Sequence, residues 1–591
     1  MAKTRFTYIR ILLRFRRVLR NDHLILSVLG IIVGVATGAA AILFREFIQL
    51  IQFGLFNSDT ENLLEHLVDL PWWQILFVPA VVGLFIGLFV YHFLPDRRPQ
   101  GVADVIEASA LRGGNMSSRI GLKVAIVNAL SIGAGASVGR EGPAVHIGAS
   151  LSGWLARRLH LTRSLTRTLL GCGVGAAVAA SFNAPIAGAL FASEVVVGHY
   201  ALKAFAPIVI ASVAGTALSR SHFGDFPAFV FEADILTSFW EFPAFVLLGI
   251  CSGVAAIIFM RSIFIAQDIA ERLPTPTWAR PAFGGLAVGA IALLFPEVMG
   301  VGYGATESAL LIEYSIWMLI AIGLAKILAT AVSIGFGFGG GVFSPSLVIG
   351  AMVGGAFGII ATHVFPGYSS GPAAYTMIGM GAVAAAVLGA PISTTLIIFE
   401  MTSNYGLTLG VMLAVVMASE ITHHFFGRSF FNVQLSNRGI NIKEGFETEV
   451  LRSRRISQVI ADDAETIYRD ACIQDVRCDL QTSRWGELFV VKRSGELYGT
   501  ITLADLSDSA FDHDVDDLIK AEDVTRLHPP ILTPHDDLET ALTLMRDAGE
   551  EHIAVVDDTE TMLFRGCVHQ RDVMAAYNRA LLETRHEEHG E

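Results

Sequence analysis

The chain has 591 residues, of which 53% are hydrophobic and only 16% charged; its mean hydropathy is +0.54 and it carries 57 glycines, which excludes an ordinary soluble protein. A formal net charge of −13, with much of the acidity in the C-terminal region, argues against nucleic acid as a partner. The five cysteines, Cys172, Cys251, Cys472, Cys478 and Cys567, form no close pair and no disulfide framework, so a polytopic membrane protein with a soluble appendage remains.

Residues 1–22 interleave Lys3, Arg5, Arg10, Arg14, Arg16, Arg17 and Arg20 with Ile9, Leu12, Leu13 and Leu19, the pattern of a basic amphipathic helix on the cytoplasmic membrane surface. The apolar run that follows is longer than a secretory h-region, which argues against cleavage. Leu24 to Phe44 is 21 residues without a charge, enough to cross a hydrocarbon core of about 30 Å, and opens an all-α membrane domain over residues 23–436. Gly30, Gly34 and Gly38 within it read as helix-packing positions.

Next comes Gly135-Ala136-Ser137-Val138-Gly139-Arg140-Glu141-Gly142-Pro143-Ala144-Val145-His146-Ile147-Gly148, which sets one Arg-Glu pair among glycines at membrane depth. Such charges are functional by default. A second copy, Gly339-Gly340-Gly341-Val342-Phe343-Ser344-Pro345-Ser346-Leu347-Val348-Ile349-Gly350, keeps the proline-to-glycine spacing of five but has Val and Phe in place of the charges. The repeat extends further, from Gly173–Ala180 and Ala184-Pro185 to Gly379–Ala386 and Ala390-Pro391. An acid stands nine residues past each proline, at Glu194 and Glu400, both expected to cap or brace helices. Repeated Gly/Pro-broken apolar segments mark transporters whose half-helix N-termini converge on an anion. No Asp, Glu, Lys or Arg occurs from Ile327 to Phe399, so several helices lie there.

Two enzyme motifs occur in these segments and fail on context. Gly135-Ala136-Ser137-Val138-Gly139 has the nucleophile-elbow spacing but no strand before it. Gly335-Phe336-Gly337-Phe338-Gly339-Gly340 has the dinucleotide spacing but no acid where a ribose would need one. The expectation is a protein that is not an enzyme.

Near Asn437 the composition turns mixed and charged, through a linker over 437–455 that includes Arg452-Ser453-Arg454-Arg455. Beyond it, Glu487–Val491, a turn at Ser494-Gly495 and Tyr498–Leu506 read as strand, turn, strand and helix start. The pattern returns at His552–Val556, Asp557-Asp558 and Arg565–Asp572, each time after an amphipathic helix, clearest over Leu538–Asp547. Two α/β units follow, at 456–510 and 516–582, and then a tail over 583–591.

Gly139-Arg140-Glu141-Gly142-Pro143, Phe182-Asn183-Ala184-Pro185, Gly340-Gly341-Val342-Phe343-Ser344-Pro345 and Glu400-Met401-Thr402, in that order, resemble the CLC family of voltage-gated chloride channels and proton-coupled chloride exchangers. The pair of units after them resembles tandem CBS domains. The resemblance implies inverted repeats of broken, tilted helices, a homodimer with one pore per subunit, chloride as the transported ion, and both termini cytoplasmic in a bacterial inner membrane. It makes Glu141 the external gating glutamate and assigns anion binding to Gly139, Arg140, Gly142, Val342 and Phe343.

Three positions depart from the family pattern. The internal proton-relay glutamate falls on Val195, and the serine and tyrosine hydroxyls at the central anion fall on Gln100 and Phe431. These departures favour a gated anion channel over an H+/Cl− antiporter and imply weak discrimination among anions. In the CBS pair, Gly499, Thr502 and Asp505 fit the Gly-x-x-Ser/Thr-x-x-Asp signature, while the second unit has Gly566, His569 and Asp572. The resemblance implies adenine-nucleotide contacts at Thr502, Asp505 and Asp572; the alternative is a domain that only clamps the dimer. A membrane-anchored nucleotide sensor is the remote third reading, disfavoured because an anchor needs no repeated half-helices.

Overall fold

The computed structural model describes residues 22–589 apart from 59–62, 68–69, 199, 201, 225–237, 428, 441–450, 452–453, 462 and 507–518. The basic helix expected over 1–22 lies outside them but for its last residue, as do most of the linker and the junction between the two C-terminal units. The chain divides into two compact units, residues 1–442 and 443–591.

The regular structure of the first unit is helical among the described residues, apart from a single bridge between Gly139 and Gly341. Among the described residues, eight helices are long and apolar enough to cross a membrane, from Ile25–Phe56 to Tyr405–Asn437. Their outward faces carry large apolar side chains such as Leu43, Phe85, Ile258 and Leu328, as a lipid-facing surface requires. The first helix packs against Leu202–Phe223 through Gly30, Gly34 and Gly38, where an added Cβ would come within 2.4–2.9 Å of the backbone oxygens of Pro207, Ala211 and Gly215. Glycine there is a condition of backbone contact, the helix-packing role expected from sequence.

Eight helices form the two repeats. In the first they are α1 (Ser118–Gly133), α2 (Glu141–Arg158), α3 (Arg163–Phe182) and α4 (Pro185–Phe191); in the second, α5 (Ile316–Gly335), α6 (Phe343–Val364), α7 (Pro372–Leu388) and α8 (Pro391–Thr402). The equivalences are physical as well as sequential. Gly148 of α2 meets Gly173 of α3, and Gly350 of α6 meets Gly379 of α7, so closely that a Cβ added to any of them would lie only 2.3–2.4 Å from the facing carbonyl. A proline opens both α4 and α8, where its missing N–H has no acceptor to lose. A turn of π-helix over Ala192–Val197 carries α4 onward.

The second unit holds two sheets. The first runs β1 (Thr466–Tyr468), β2 (Glu487–Val491), β3 (Leu497–Thr502) and β4 (Arg526–Leu527), and the second β5 (Ile531–Leu532), β6 (His552–Val556) and β7 (Phe564–His569). In each, the first pair is parallel and the next antiparallel. A register shift falls at the matching place in both, Val490/Val491 and Val555/Val556. α9 (Ile473–Thr482) and α10 (Leu538–Ala548) are the amphipathic helices before β2 and β6. Phe489, Leu497, Ala554, Val556 and Cys567 make a core shared by the two sheets.

Candidate functional site

The site is where the two repeats cross. α1 ends in a turn that needs Gly135 at φ +86°, and α5 ends in the same turn with Gly337 at φ +97°, a region costly for other residues. The loops then exchange bonds in pairs. Ser137 N–H donates to Ser333 Oγ at 3.1 Å, and Gly339 N–H donates to Ser131 Oγ at 3.0 Å. Gly139 and Gly341 pair with each other, N–H to O at 2.7 and 2.8 Å, as a two-residue antiparallel bridge. Each repeat thereby satisfies the buried backbone of the other, which membrane depth makes obligatory.

From this knot α2 and α6 leave with their N-termini together. Their first intrahelical bonds are Ala144 N–H to Arg140 O and Ser346 N–H to Val342 O. The N–H groups of Glu141 and Gly142, and those of Phe343 and Ser344, precede those bonds, and Pro143 and Pro345 have none. A Cβ on Gly142 would lie 3.1 Å from Gly341 Cα, so only glycine lets the two starts come this close.

Glu141, the first residue of α2, is 1% exposed. Tyr303 Oη donates to its Oε1 at 2.9 Å and Ser344 Oγ to its Oε2 at 2.5 Å. Arg140 stands aside: its Nε is 3.9 Å from Oε1 and its guanidinium lies 5.0 Å from the Tyr303 ring centre. The carboxylate is thus held by two hydroxyls, one from the second repeat, rather than by its charged neighbour. Tyr303 is steadied in turn by Lys326, fully buried, whose Nζ donates to Val298 O and Gly300 O at 2.9 and 3.0 Å in the turn that leads to it.

Cavities approach the knot from two directions. One, of about 390 Å³, is lined by Gln100, Gly341, Val342 and Phe431 and rimmed by Arg97, Arg98, Arg280 and Arg438. A much smaller one, about 40 Å³, is lined by Arg140, Tyr303 and Arg45. Glu141 lines neither. Its partner Tyr303 faces one cavity and Gly341, beside it, faces the other.

The remaining positions singled out from sequence sort as follows. Gly139 donates its N–H to Gly341 O, and a Cβ on it would lie 2.9 Å from Glu141 Oε2. Phe343 is buried against Phe182 and Phe191 of the first repeat, leaving its backbone at the helix start. Gln100 faces His146 Nε2 with its Oε1 at 3.3 Å, which leaves its NH2 group as a donor. Phe431 lies in the first turn of Phe430–Asn437 behind a Ser429 cap and packs edge-on against Phe430.

Val195 is half-buried among apolar neighbours. Its neighbour Glu194 accepts the N–H groups of Ile392 and Ser393 at 3.1 and 2.8 Å, while Glu400 accepts those of Ile186 and Ala187 at the same two distances. Each acid caps the proline-led last helix of the opposite repeat, Glu194 on α8 and Glu400 on α4. Sequence reasoning did not single out Tyr303, Ser344 or Lys326 as site residues. The cluster Gly300-Val301-Gly302-Tyr303-Gly304 was the available signal for the first.

In the C-terminal unit, Asp505 Oδ2 accepts both the N–H and the Oγ1 hydroxyl of Thr502 at 2.8 Å, closing the turn after β3. Asp572 pairs with Arg571 at 3.2 Å at the start of the last helix. His569 is turned inward, 1% exposed.

Comparison with known proteins gives the following. The family model of voltage-gated chloride channels matches residues 82–423, and the CBS-domain model matches 521–579. A ClcB-like chloride channel protein of Ralstonia nicotianae is 35% identical over 403 residues, 67% of this chain and 93% of that protein. The voltage-gated ClC-type chloride channel ClcB of Citrobacter koseri is 30% identical, covering 69% of this chain and 96% of its own length. Among solved structures, a slow cyanobacterial Cl−/H+ antiporter superposes with a TM-score of 0.63 at 25% identity, over 70% of this chain and 97% of that one.

Proposed function

The chain belongs to the voltage-gated chloride channel family, and on that premise we propose that it is an anion channel in which the Glu141 carboxylate is the gate. The observation that carries this is the buried carboxylate held by Tyr303 and Ser344 where two helix N-termini meet. Its two oxygens stand where an anion would accept the same donors. Removing an anion from water costs several kcal/mol. One helix N-terminus returns about 0.3–1 kcal/mol, or about 2 when partly buried, and a hydrogen bond to a charged group about 1.5–3 kcal/mol. Two hydroxyls and two helix starts together reach the required size, with no lysine to trap the ion.

Ionised, Glu141 occupies the anion position and closes the path; protonated, it loses its charge and one of its two acceptor holds, and swings away. The four arginines lining the larger cavity outnumber its two acids, Asp96 and Glu271, and raise the local anion concentration, and Val342 and the Gln100 NH2 group serve the ion on that side. Phe431 offers no donor, so selection among chloride, bromide and nitrate is weak. The same reading gives a homodimer with one pathway per subunit, both termini on the cytoplasmic side, and a CBS unit that takes an adenine nucleotide at Thr502 and Asp505.

Absence of tight proton coupling rests on the inner half. Val195 cannot carry a proton, and Glu194 is engaged as a cap on α8. The second reading, an H+/Cl− antiporter, is favoured by the likeness to the cyanobacterial antiporter. Reversal potentials in proteoliposomes under crossed chloride and pH gradients separate the two. A potential set by chloride alone supports the channel; uphill proton movement driven by chloride and abolished by Glu141→Gln establishes the antiporter.

A further inference from the structure

The second CBS-like unit departs from its signature at His569, and the structure gives that departure a setting. β7 ends with Cys567 and His569 two residues apart, both 1% exposed. The segment before β1 is fastened beside them, Ala461 N–H donating to Cys567 O at 2.9 Å, which brings Asp463 to the same point. There Asp463 Oδ1 lies 3.0 Å and Cys567 Sγ 3.5 Å from His569 Nε2. One ligand atom from each residue falls within 4.8 Å of the others.

We propose that Asp463, Cys567 and His569 form a binding site for a divalent transition cation of the zinc class. A nitrogen, a sulfur and a carboxylate oxygen are the donors that zinc prefers, with bonds of about 2.0–2.3 Å that keep tetrahedral ligand atoms about 3.3–3.8 Å apart. The histidine–cysteine separation already has that value, and the half-exposed Asp463 needs to retreat by only a few tenths of an ångström. Three protein ligands leave the fourth position to water or a further ligand.

The surroundings also suit a metal. His552 stands directly opposite His569 across β6 and β7, its Nδ1 2.7 Å from His569 Nδ1. A proton on His569 Nδ1, donated to His552, leaves the Nε2 lone pair facing the cation, as the outer partner of a ligating histidine does. Trp485 stacks on the His569 ring at 4.1 Å and fixes its plane. Solvent access runs past Asp463. With no metal the same atoms make a histidine–aspartate hydrogen bond, and the experiment must separate the two.

Full-length protein in detergent, stripped with a chelator, is titrated with cobalt(II) and then with zinc. The expected result is one cobalt per chain with a thiolate-to-cobalt charge-transfer band, displaced by zinc. Cys567→Ser abolishes the band, and Cys478→Ser, at an exposed cysteine, leaves it unchanged. Asp463→Asn, at a half-exposed position, weakens binding by at least about tenfold, and His552→Phe by about 10–100-fold. No charge-transfer band at millimolar cobalt, a band that survives Cys567→Ser, or equal affinity in Asp463→Asn overturns the site.

Discussion

At Glu141 the distinction between a charge pair and an occupied anion site is a matter of ångströms. Arg140 is adjacent in sequence yet 3.9 Å away, whereas Tyr303 and Ser344, 162 and 203 residues further on, donate at 2.9 and 2.5 Å. Glu141→Gln keeps the shape of the side chain and removes the charge. Its NH2 group cannot accept from a hydroxyl, so the amide loses one of its two holds. The expected outcome is anion efflux from liposomes that is faster than the parent's at neutral pH and flat across pH; a retained pH dependence moves the gate elsewhere. Tyr303→Phe removes one bond to a charged acceptor, about 1.5–3 kcal/mol, and shifts the closed-to-open balance by about 10–100-fold toward open. Efflux within twofold of the parent at neutral pH would show that Tyr303 does not hold the gate.

Among the elements, the reciprocal caps explain why both repeats keep an acid nine residues past the proline while only the first carries a glutamate at the start of its half-helix. α4 and α8 each begin with a proline and have no side-chain cap of their own. The carboxylate comes from the other repeat, Glu400 for α4 and Glu194 for α8. Glu194→Ala and Glu400→Ala should therefore behave alike. Each lowers stability by about 0.5–2 kcal/mol, the usual cost of a lost cap, seen as a lower unfolding temperature in detergent, and neither changes the dependence of flux on pH. Loss of proton movement in Glu194→Ala alone, at an unchanged unfolding temperature, would identify a relay instead of a cap.

For the molecule as a whole, the C-terminal unit has a pH response of its own. In the C-terminal unit Glu487, opposite Thr502 on β2 and β3, is 6% exposed. Burial, with Glu550 nearby, pushes its carboxyl up to about 7. A raised folded value means that the folded form holds the proton more tightly. The unit is then free of this penalty below the unfolded value of about 4.5, loses stability as pH rises from there, and carries the full penalty above about 7. Glu487→Gln should stabilise the unit at pH 8 by roughly 1–3 kcal/mol and leave it unchanged at pH 4. Hydrogen-exchange protection of the β2 and β3 amides at both pH values reads this directly, and equal protection of parent and variant at pH 8 would contradict it.

What the sequence determined by itself was whatever is written in period, composition and repetition. The change of character near Asn437, the strand pairs around Ser494-Gly495 and Asp557-Asp558, the matched prolines at 143 and 345, and the capping role of Glu194 and Glu400 were all legible, because helix starts, turns and lipid-facing surfaces are local demands on residue type. Only the tertiary structure decided which groups meet. Sequence spacing cannot reveal that Gly139 spends its N–H on Gly341, that Ser344 donates across the repeat boundary to Glu141, or that Lys326 steadies the turn before Tyr303. Those contacts join residues up to 203 positions apart, and burial in a medium without water forces each donor to find its acceptor wherever the fold brings one.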